Sequence, residues 1–404
     1  MDSSETGCGK GQPIKVLVML GSPFLYGMER SVIELFDKLR PEVVPCLVMT
    51  YTAHRLNLPI IQEVRARNLP HVFLPDKREW PRLGKPRGLR HFWKVCVSLV
   101  RGNLCLLKAV IGKDAIYVPG LIAAYHAALA AAYMRIRGKR VIHKFHDYVG
   151  TPSGTLKWWS WLVTDFVHQT RTVYDGAVAA NPCILHAKNA VVPNVLDLER
   201  DTATCVDPSA MHSNGKREIF FIGQIAHHKG IDLLLDAFKL VSNDGLMRLN
   251  IIGSAPPQYK EQFEKSLHEI SLIHDVRFWG YRNDVLRRLQ IAYLYIHPSP
   301  PSRFQESYGR GVVEAMSLGV PVVCFPSGSL REIVINNETG IVCDEETPEC
   351  LAAAIQRFLA DPEFRDRCGR QARYRYETMY SLEIVRPRWV EFFRGVRGNR
   401  DTQI

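Results

Sequence analysis

Apolar and polar positions along this chain follow two alternating periods, and the same order of elements occurs twice. Residues 14–20, Ile-Lys-Val-Leu-Val-Met-Leu, form a short β-rich run closed by Gly21 and Pro23. Helical spacing follows over 28–39, where Val32, Leu35, Phe36 and Leu39 make one stripe. A strand, a Gly-containing loop and a helix in that order open a doubly wound α/β unit. Further strands are predicted at 43–49, 71–74, 115–118, 140–145, 175–179 and 191–195, with helices at 89–111 and 125–134. Polar, aperiodic residues 198–216 interrupt the pattern. A second unit then runs through strand 218–222, helix 231–241, strand 248–252, helix 259–270, strand 276–279, helix 284–289 and strand 294–297. A helix from Arg310, strand 320–325, helix 348–360 and a last helix at 379–396 complete it.

Two segments admit two readings each. Over 89–111 the apolar positions, Trp93, Val100, Leu104 and Ile111 among them, line one side, while Lys94, Arg101 and Lys108 share another. Such a helix either packs its stripe into a domain core with its lysines solvated, or rests on anionic lipid or an anionic acceptor. It belongs to a basic tract, 77–113, with ten Lys or Arg and one acid, Glu79. Nucleic acid is a third candidate for that tract, but no DNA- or RNA-binding motif accompanies it, so none is expected as a partner. The segment with Trp158, Trp159, Trp161 and Phe166 is likewise either core or an interfacial foot.

Composition narrows the class. At 404 residues, 46% apolar and 23% charged, the chain suits two globular domains. Its net charge of +11 is uneven: residues 1–200 hold 27 basic and 15 acidic side chains, residues 201–404 hold 25 and 26. The halves therefore face different partners. Ten scattered cysteines without a CxxC pair argue against zinc and for a reducing compartment. No run reaches the roughly 18 apolar residues of a membrane span, and polar residues 1–13 read as a disordered lead-in rather than a signal peptide. A cytoplasmic location, soluble or peripheral on the inner face of a membrane, is expected.

Candidate chemistry concentrates in 299–319. Glu306 and Glu314 lie eight positions apart, with Ser307-Tyr308-Gly309 between them and a helix opening at Arg310. A helix N-terminus offers unpaired N–H groups to an anion, here flanked by two carboxylates that accept from hydroxyls. The 22 glutamates of this chain would make roughly one such pair by chance, so context must carry the reading. Lys229, in the first loop of the second unit, is placed for a phosphate. His146 follows a predicted strand, where doubly wound sheets set ligand groups.

The second half resembles the family-4 retaining glycosyltransferases of the GT-B fold (glycosyl transferases group 1). The resemblance rests on FIGQIAHHKGIDLLLDAF, LNIIGSAPP, VRFWGYRNDV, ESYGRGVVEAMSLGVPVVCFPSGSLREIV and ETGIVC in that order, and more loosely on YGMERSVIEL, KFHD and VVPNVLDLER of the first half. It implies two Rossmann-like domains, 14–200 and 217–378, facing across a cleft. A linker at 201–216 would join them, and the helix 379–396 would cross back to the first. It implies a nucleotide-diphosphate sugar as donor, a saccharide or lipid-linked acceptor in envelope or polysaccharide synthesis, and no metal or other cofactor. Carried over by position, Glu306 would bond donor-sugar hydroxyls and Glu314 the ribose. The backbone N–H groups of Tyr308, Gly309 and Arg310 would meet the diphosphate, with Ser307, Gly223 and Gln224 also among the donor-binding residues. Lys229 would neutralise the leaving diphosphate, His146 would face the reacting sugar, and Gly27 would allow close approach of the first-domain loop. The family's usual Arg is Gln224 here, with Arg310 the candidate replacement cation, and the first Gly of its usual pair is Tyr26. Alternatives left open are a GT-B relative of other chemistry, a nucleotide-sugar 2-epimerase or phosphorylase, and a non-catalytic binding protein.

Overall fold

The computed structural model describes residues 12–20, 22, 25, 27–50, 53–54, 56–74, 89–146, 151–198, 215–241 and 245–395. The expectations placed on 1–11, Tyr26, 75–88, 201–214 and 399–404 lie outside these residues. Two parallel sheets organise the chain. The first joins β1 (Ile14–Met19), β2 (Val43–Thr50), β3 (His71–Leu74), β4 (Ala115–Pro119), β5 (Arg140–Lys144), β6 (Asp165–His168) and β7 (Lys188–Val191) in the order β3-β2-β1-β4-β5-β6-β7. The second joins β8 (Arg217–Ile222), β9 (Met247–Ile252), β10 (Asp275–Gly280), β11 (Ala292–His297), β12 (Val322–Cys324) and β13 (Gly340–Val342) in the order β10-β9-β8-β11-β12-β13. Each sheet starts in its middle, winds one way, then restarts on the other side. In sheets wound this way ligands bind at that switch point, beyond the carboxyl ends of the strands. This is the expected GT-B architecture of two Rossmann-like domains across a cleft.

Strands flanked by helices on both faces are buried on both, which is why β4 reads as an unbroken apolar run and β1 as one from Val16 on. The helices that position the site or its surroundings are α1 (Gly27–Lys38), α2 (Leu89–Ala109), α3 (Leu121–Ile136), α4 (Gly154–Ser160), α5 (Arg171–Ala180), α6 (Ile231–Leu240), α7 (Arg310–Ser317), α8 (Pro362–Met379) and α9 (Leu382–Arg394). The last of these crosses back as expected. Trp389 sits in the core of the first domain and its indole N–H donates to Pro193 O at 2.8 Å, while Arg140 donates to the carbonyls of Phe392 and Phe393. It starts later than predicted because 362–379 forms a helix of its own, capped by Asp361, which accepts from Phe364 N.

Three sequence expectations change. Residues 175–179 are helical, not a strand: the Thr170 hydroxyl caps α5 by accepting from Val173 N, and Arg171 pairs with Asp175 one turn on. The strand is β6, hidden in the Trp-rich segment, where Trp159 and Phe166 are core and Trp161 is exposed. The strand expected at 191–195 is β7, ending at Val191, and residues 192–195 continue beyond it, buried, with Pro193 bonded to α9. In α2 the core face is also not the predicted stripe. Leu106, Val110 and Asn103 are buried, whereas Trp93, Val100, Leu104 and, past its end, Ile111 are exposed. Packing against α3 decides this: the Asn103 amide donates to Tyr125 O, and its carbonyl oxygen accepts from Leu129 N.

Candidate functional site

The loop after β11 and the start of α7 form the centre of the site. Gly309, the residue before α7, has a left-handed backbone (φ 63°), and a Cβ there would sit 2.5 Å from Leu330. A glycine is required for that turn. The N–H groups of Tyr308, Gly309 and Arg310 find no acceptor among the described residues, and they open the positive end of α7.

Glu306 is buried ahead of that turn. Its Oε1 accepts from Lys229 Nζ at 2.6 Å, Ser299 Oγ at 2.7 Å and His297 Nε2 at 2.9 Å. Its Oε2 has no partner among the described residues and is not closed off from solvent. Burial alone would raise its pKa, but the charges and hydrogen bonds of His297 and Lys229 outweigh it and hold the carboxyl below the ordinary range. One oxygen is thus saturated and fixed while the other faces outward. Lys229 arrives through a tight approach: Gly230 has φ 69°, and a Cβ on it would meet Pro298 O at 1.8 Å. Its ammonium also lies 4.0 Å over the Phe304 ring.

Glu314 is buried on α7, and its Oε1 accepts from Arg310 Nε at 2.6 Å. The Arg310 guanidinium also forms a two-bond fork with Glu34 on α1, at 2.8 and 3.0 Å. Glu34 accepts from Arg30 as well. Burial raises the Glu34 pKa, but Arg310 and Arg30 outweigh it and lower it; burial lowers that of Arg310, and Glu34 with Glu314 raise it further. This corrects one expectation: the Arg310 side chain is committed to two carboxylates across the domains and does not stand in for an arginine at 224. Gln224 itself is exposed, without a hydrogen bond among the described residues.

The first domain meets this loop directly. Ser307 Oγ donates to His146 O at 2.6 Å, which also accepts from the Gln169 amide. Thr170 and Ser329 share a hydroxyl bond at 2.6 Å, and Glu332 accepts from the N–H groups of Arg171 and Thr172. The His146 Nε2 is shielded and has no partner among the described residues. Burial, then Lys144 and His143, drive its pKa well down, so the imidazole is neutral at pH 7. Gly27 starts α1, and a Cβ there would meet nothing within 4 Å among the described residues. Gly223 follows β8 and packs near the Phe221 ring.

Sequence reasoning missed His297, Ser299 and Glu34. His297 ends β11, at the carboxyl edge where ligand groups collect, and that signal was available. Glu34 stands between Ile33 and Leu35 on α1, an acid inside an apolar run, the mark of a buried pair.

Lys144, on β5 beside His146, is fully buried, bonds Asn194 Oδ1 and lies 4.7 Å over the Trp389 ring. Burial brings its pKa down to about 7. Between pH 7 and 10 the unfolded chain holds a proton that the folded chain has released, so this group makes stability rise with pH. Below pH 7 the cost of the buried charge is fully present. Lys144→Met is therefore expected to raise the denaturation midpoint relative to wild type most at pH 6.5 and least near pH 10, with a difference on the order of a few kcal/mol. Denaturant melts at both pH values check it.

Residues 207–375 match the family of glycosyl transferases group 1. The second domain is a group 1 glycosyl transferase domain. Similar relatives include an uncharacterized glycosyltransferase of Methanocaldococcus jannaschii, 28% identical over 44% of this chain and 45% of its own. The O-antigen chain mannosyltransferase B of Escherichia coli is 31% identical over 36% and 38%. The chain thus spans under half the length of the relatives it matches. Solved structures cover nearly all of it: a glycosyltransferase from Rickettsia africae (TM-score 0.76, 15% identity, 96% of this chain and 99% of that one) and Anabaena HepE in complex with UDP-glucose (TM-score 0.74, 15% identity, 95% and 100%). At such identities they establish the shared fold of both domains.

Proposed function

We propose that the chain is a retaining glycosyltransferase that moves a sugar from a nucleotide-diphosphate sugar to a hydroxyl of a saccharide or lipid-linked acceptor in polysaccharide or envelope synthesis. The observation that carries this is the carboxylate of Glu306, with one oxygen held by three donors and the other open, set between Lys229 and the bare N-terminus of α7. The diphosphate lies on the N–H groups of Tyr308, Gly309 and Arg310, the ribose on Glu314, and the sugar between Glu306 and His146. As the bond from the anomeric carbon to the phosphate breaks, its electron pair leaves on the diphosphate. Lys229 and the α7 N-terminus stabilise that growing charge without a metal ion. A capsular polysaccharide biosynthesis glycosyltransferase of Staphylococcus aureus, 25% identical over 41% of the chain, supports the substrate class.

The test is incubation with a nucleotide sugar and a panel of saccharide acceptors, followed by NMR of the anomeric proton. Transfer with retained configuration supports the reading. A 2-epimer or a sugar 1-phosphate as product replaces it with an epimerase or a phosphorylase.

A further inference from the structure

The first domain carries an apolar stripe that its core does not use. On α2, Val97, Val100 and Leu104 recur at spacings of three and four, which places them along one line of a helix. All three are exposed, Val100 at 57% and Leu104 at 50%. The opposite side of α2 is closed against α3, where a Cβ on Gly102 would lie 3.3 Å from His126. Leu129 on α3, whose N–H bonds Asn103, is 48% exposed next to this contact and widens the patch. Exposed apolar side chains gathered in one row, rather than scattered singly, point to an interaction site.

Charge names the occupant. Arg101 and Lys108, both exposed, lie one helical step to the side of the stripe, so apolar and cationic rows run parallel along α2. Residues 89–136 contain six basic side chains and one acid, Asp114, whose carboxylate is taken by Lys139 and the N–H of Lys15. No helix among the described residues is long and apolar enough to cross a membrane. A helix with an apolar row beside a cationic row and no acid in its own sequence fits the boundary between anionic headgroups and acyl chains.

We propose that α2 docks the first domain onto an anionic membrane surface, with Val97, Val100 and Leu104 entering the acyl boundary and Arg101 and Lys108 meeting the headgroups. The proposal is independent of the transfer reaction.

The experiment is sedimentation of the full chain with phosphatidylcholine vesicles, with and without phosphatidylglycerol, at low and high salt. Wild type is expected to pellet with the anionic vesicles at low salt and to be released by salt. The double variant Val100→Glu/Leu104→Glu is expected to bind about tenfold more weakly with an unchanged melting temperature, and Arg101→Glu/Lys108→Glu to lose its preference for anionic lipid. Wild type left in the supernatant with anionic vesicles overturns the proposal. So does a Val100→Glu/Leu104→Glu protein that pellets like wild type, or a wild-type dimer by light scattering that the same substitutions dissociate, since the stripe would then cover a second copy.

Discussion

Glu306→Gln is expected to slow release of nucleoside diphosphate from the donor about 10²–10³-fold, with donor affinity changed far less. The effect follows from how the carboxylate is held. Lys229, Ser299 and His297 all converge on Oε1, so the negative charge is fixed in place before any sugar arrives. Gln keeps the shape and removes the charge: its carbonyl oxygen takes the place of Oε1 under the three donors, and its N–H₂ group replaces the open oxygen, so that a donor faces the sugar where an acceptor stood. Lys229 then keeps an acceptor but loses the charge that holds it. In the proposed reaction both the sugar contact and the cation on the leaving diphosphate suffer together, so the loss falls on turnover. A coupled assay of diphosphate release, read beside a binding isotherm for the donor, separates these. Equal turnover in the variant would remove Glu306 from the chemistry.

The second large effect is structural. Arg310→Leu is expected to destabilise the chain by about 3–5 kcal/mol, because it leaves buried carboxylates without their shared cation. Glu34 is fully buried and keeps only Arg30, while Glu314 loses the donor to its Oε1. In wild type, Glu34 is held below its ordinary pKa, so it contributes stability above about pH 4.5 that is lost as pH falls through its folded value. Without Arg310, burial dominates and reverses the direction. The loss on substitution should therefore be larger at pH 7 than at pH 5. Glu34→Leu/Arg310→Leu should recover most of it, since removing both partners leaves no buried charge from the pair. Melting curves of the single and double variants at the two pH values check this, and additivity of the single losses would deny the coupling.

Legibility in the sequence tracked how local each signal was. The start of α7 at Arg310 was readable because Tyr-Gly breaks one pattern and Val312, Val313 and Met316 begin the next. The strands β4 and β11 were readable because burial makes them largely apolar, and β9 was readable although Arg248 and Asn250 are buried within it. Residues 175–179 misled for the opposite reason: Asp-Gly-Ala-Val-Ala carries no strong period, and the deciding feature was the hydroxyl of Thr170, a cap two elements of reasoning away. In α2 the apolar count was right and the face was wrong, since Asn103 is buried by its bonds to α3 rather than by hydrophobicity. For the site, the two glutamates and Lys229 were legible as types at positions. That Lys229 and Glu306 touch was not, because 77 residues separate them and only the glycine at 230 lets their loops meet. The Arg310–Glu34 fork spans 276 residues and two domains, beyond any local signal.

The most direct test of the central claim is a thermal-shift panel of UDP-, GDP- and ADP-sugars on wild type and Glu314→Ala. A bound donor stabilises the folded chain by mass action, about 2.7 kcal/mol at a hundred times its Kd. The account expects one nucleotide class to raise the wild-type melting temperature in a saturable way, and expects Glu314→Ala to need much more of it, having lost the carboxylate assigned to the ribose. No shift with any nucleotide sugar, or a shift that Glu314→Ala leaves unchanged, would contradict it.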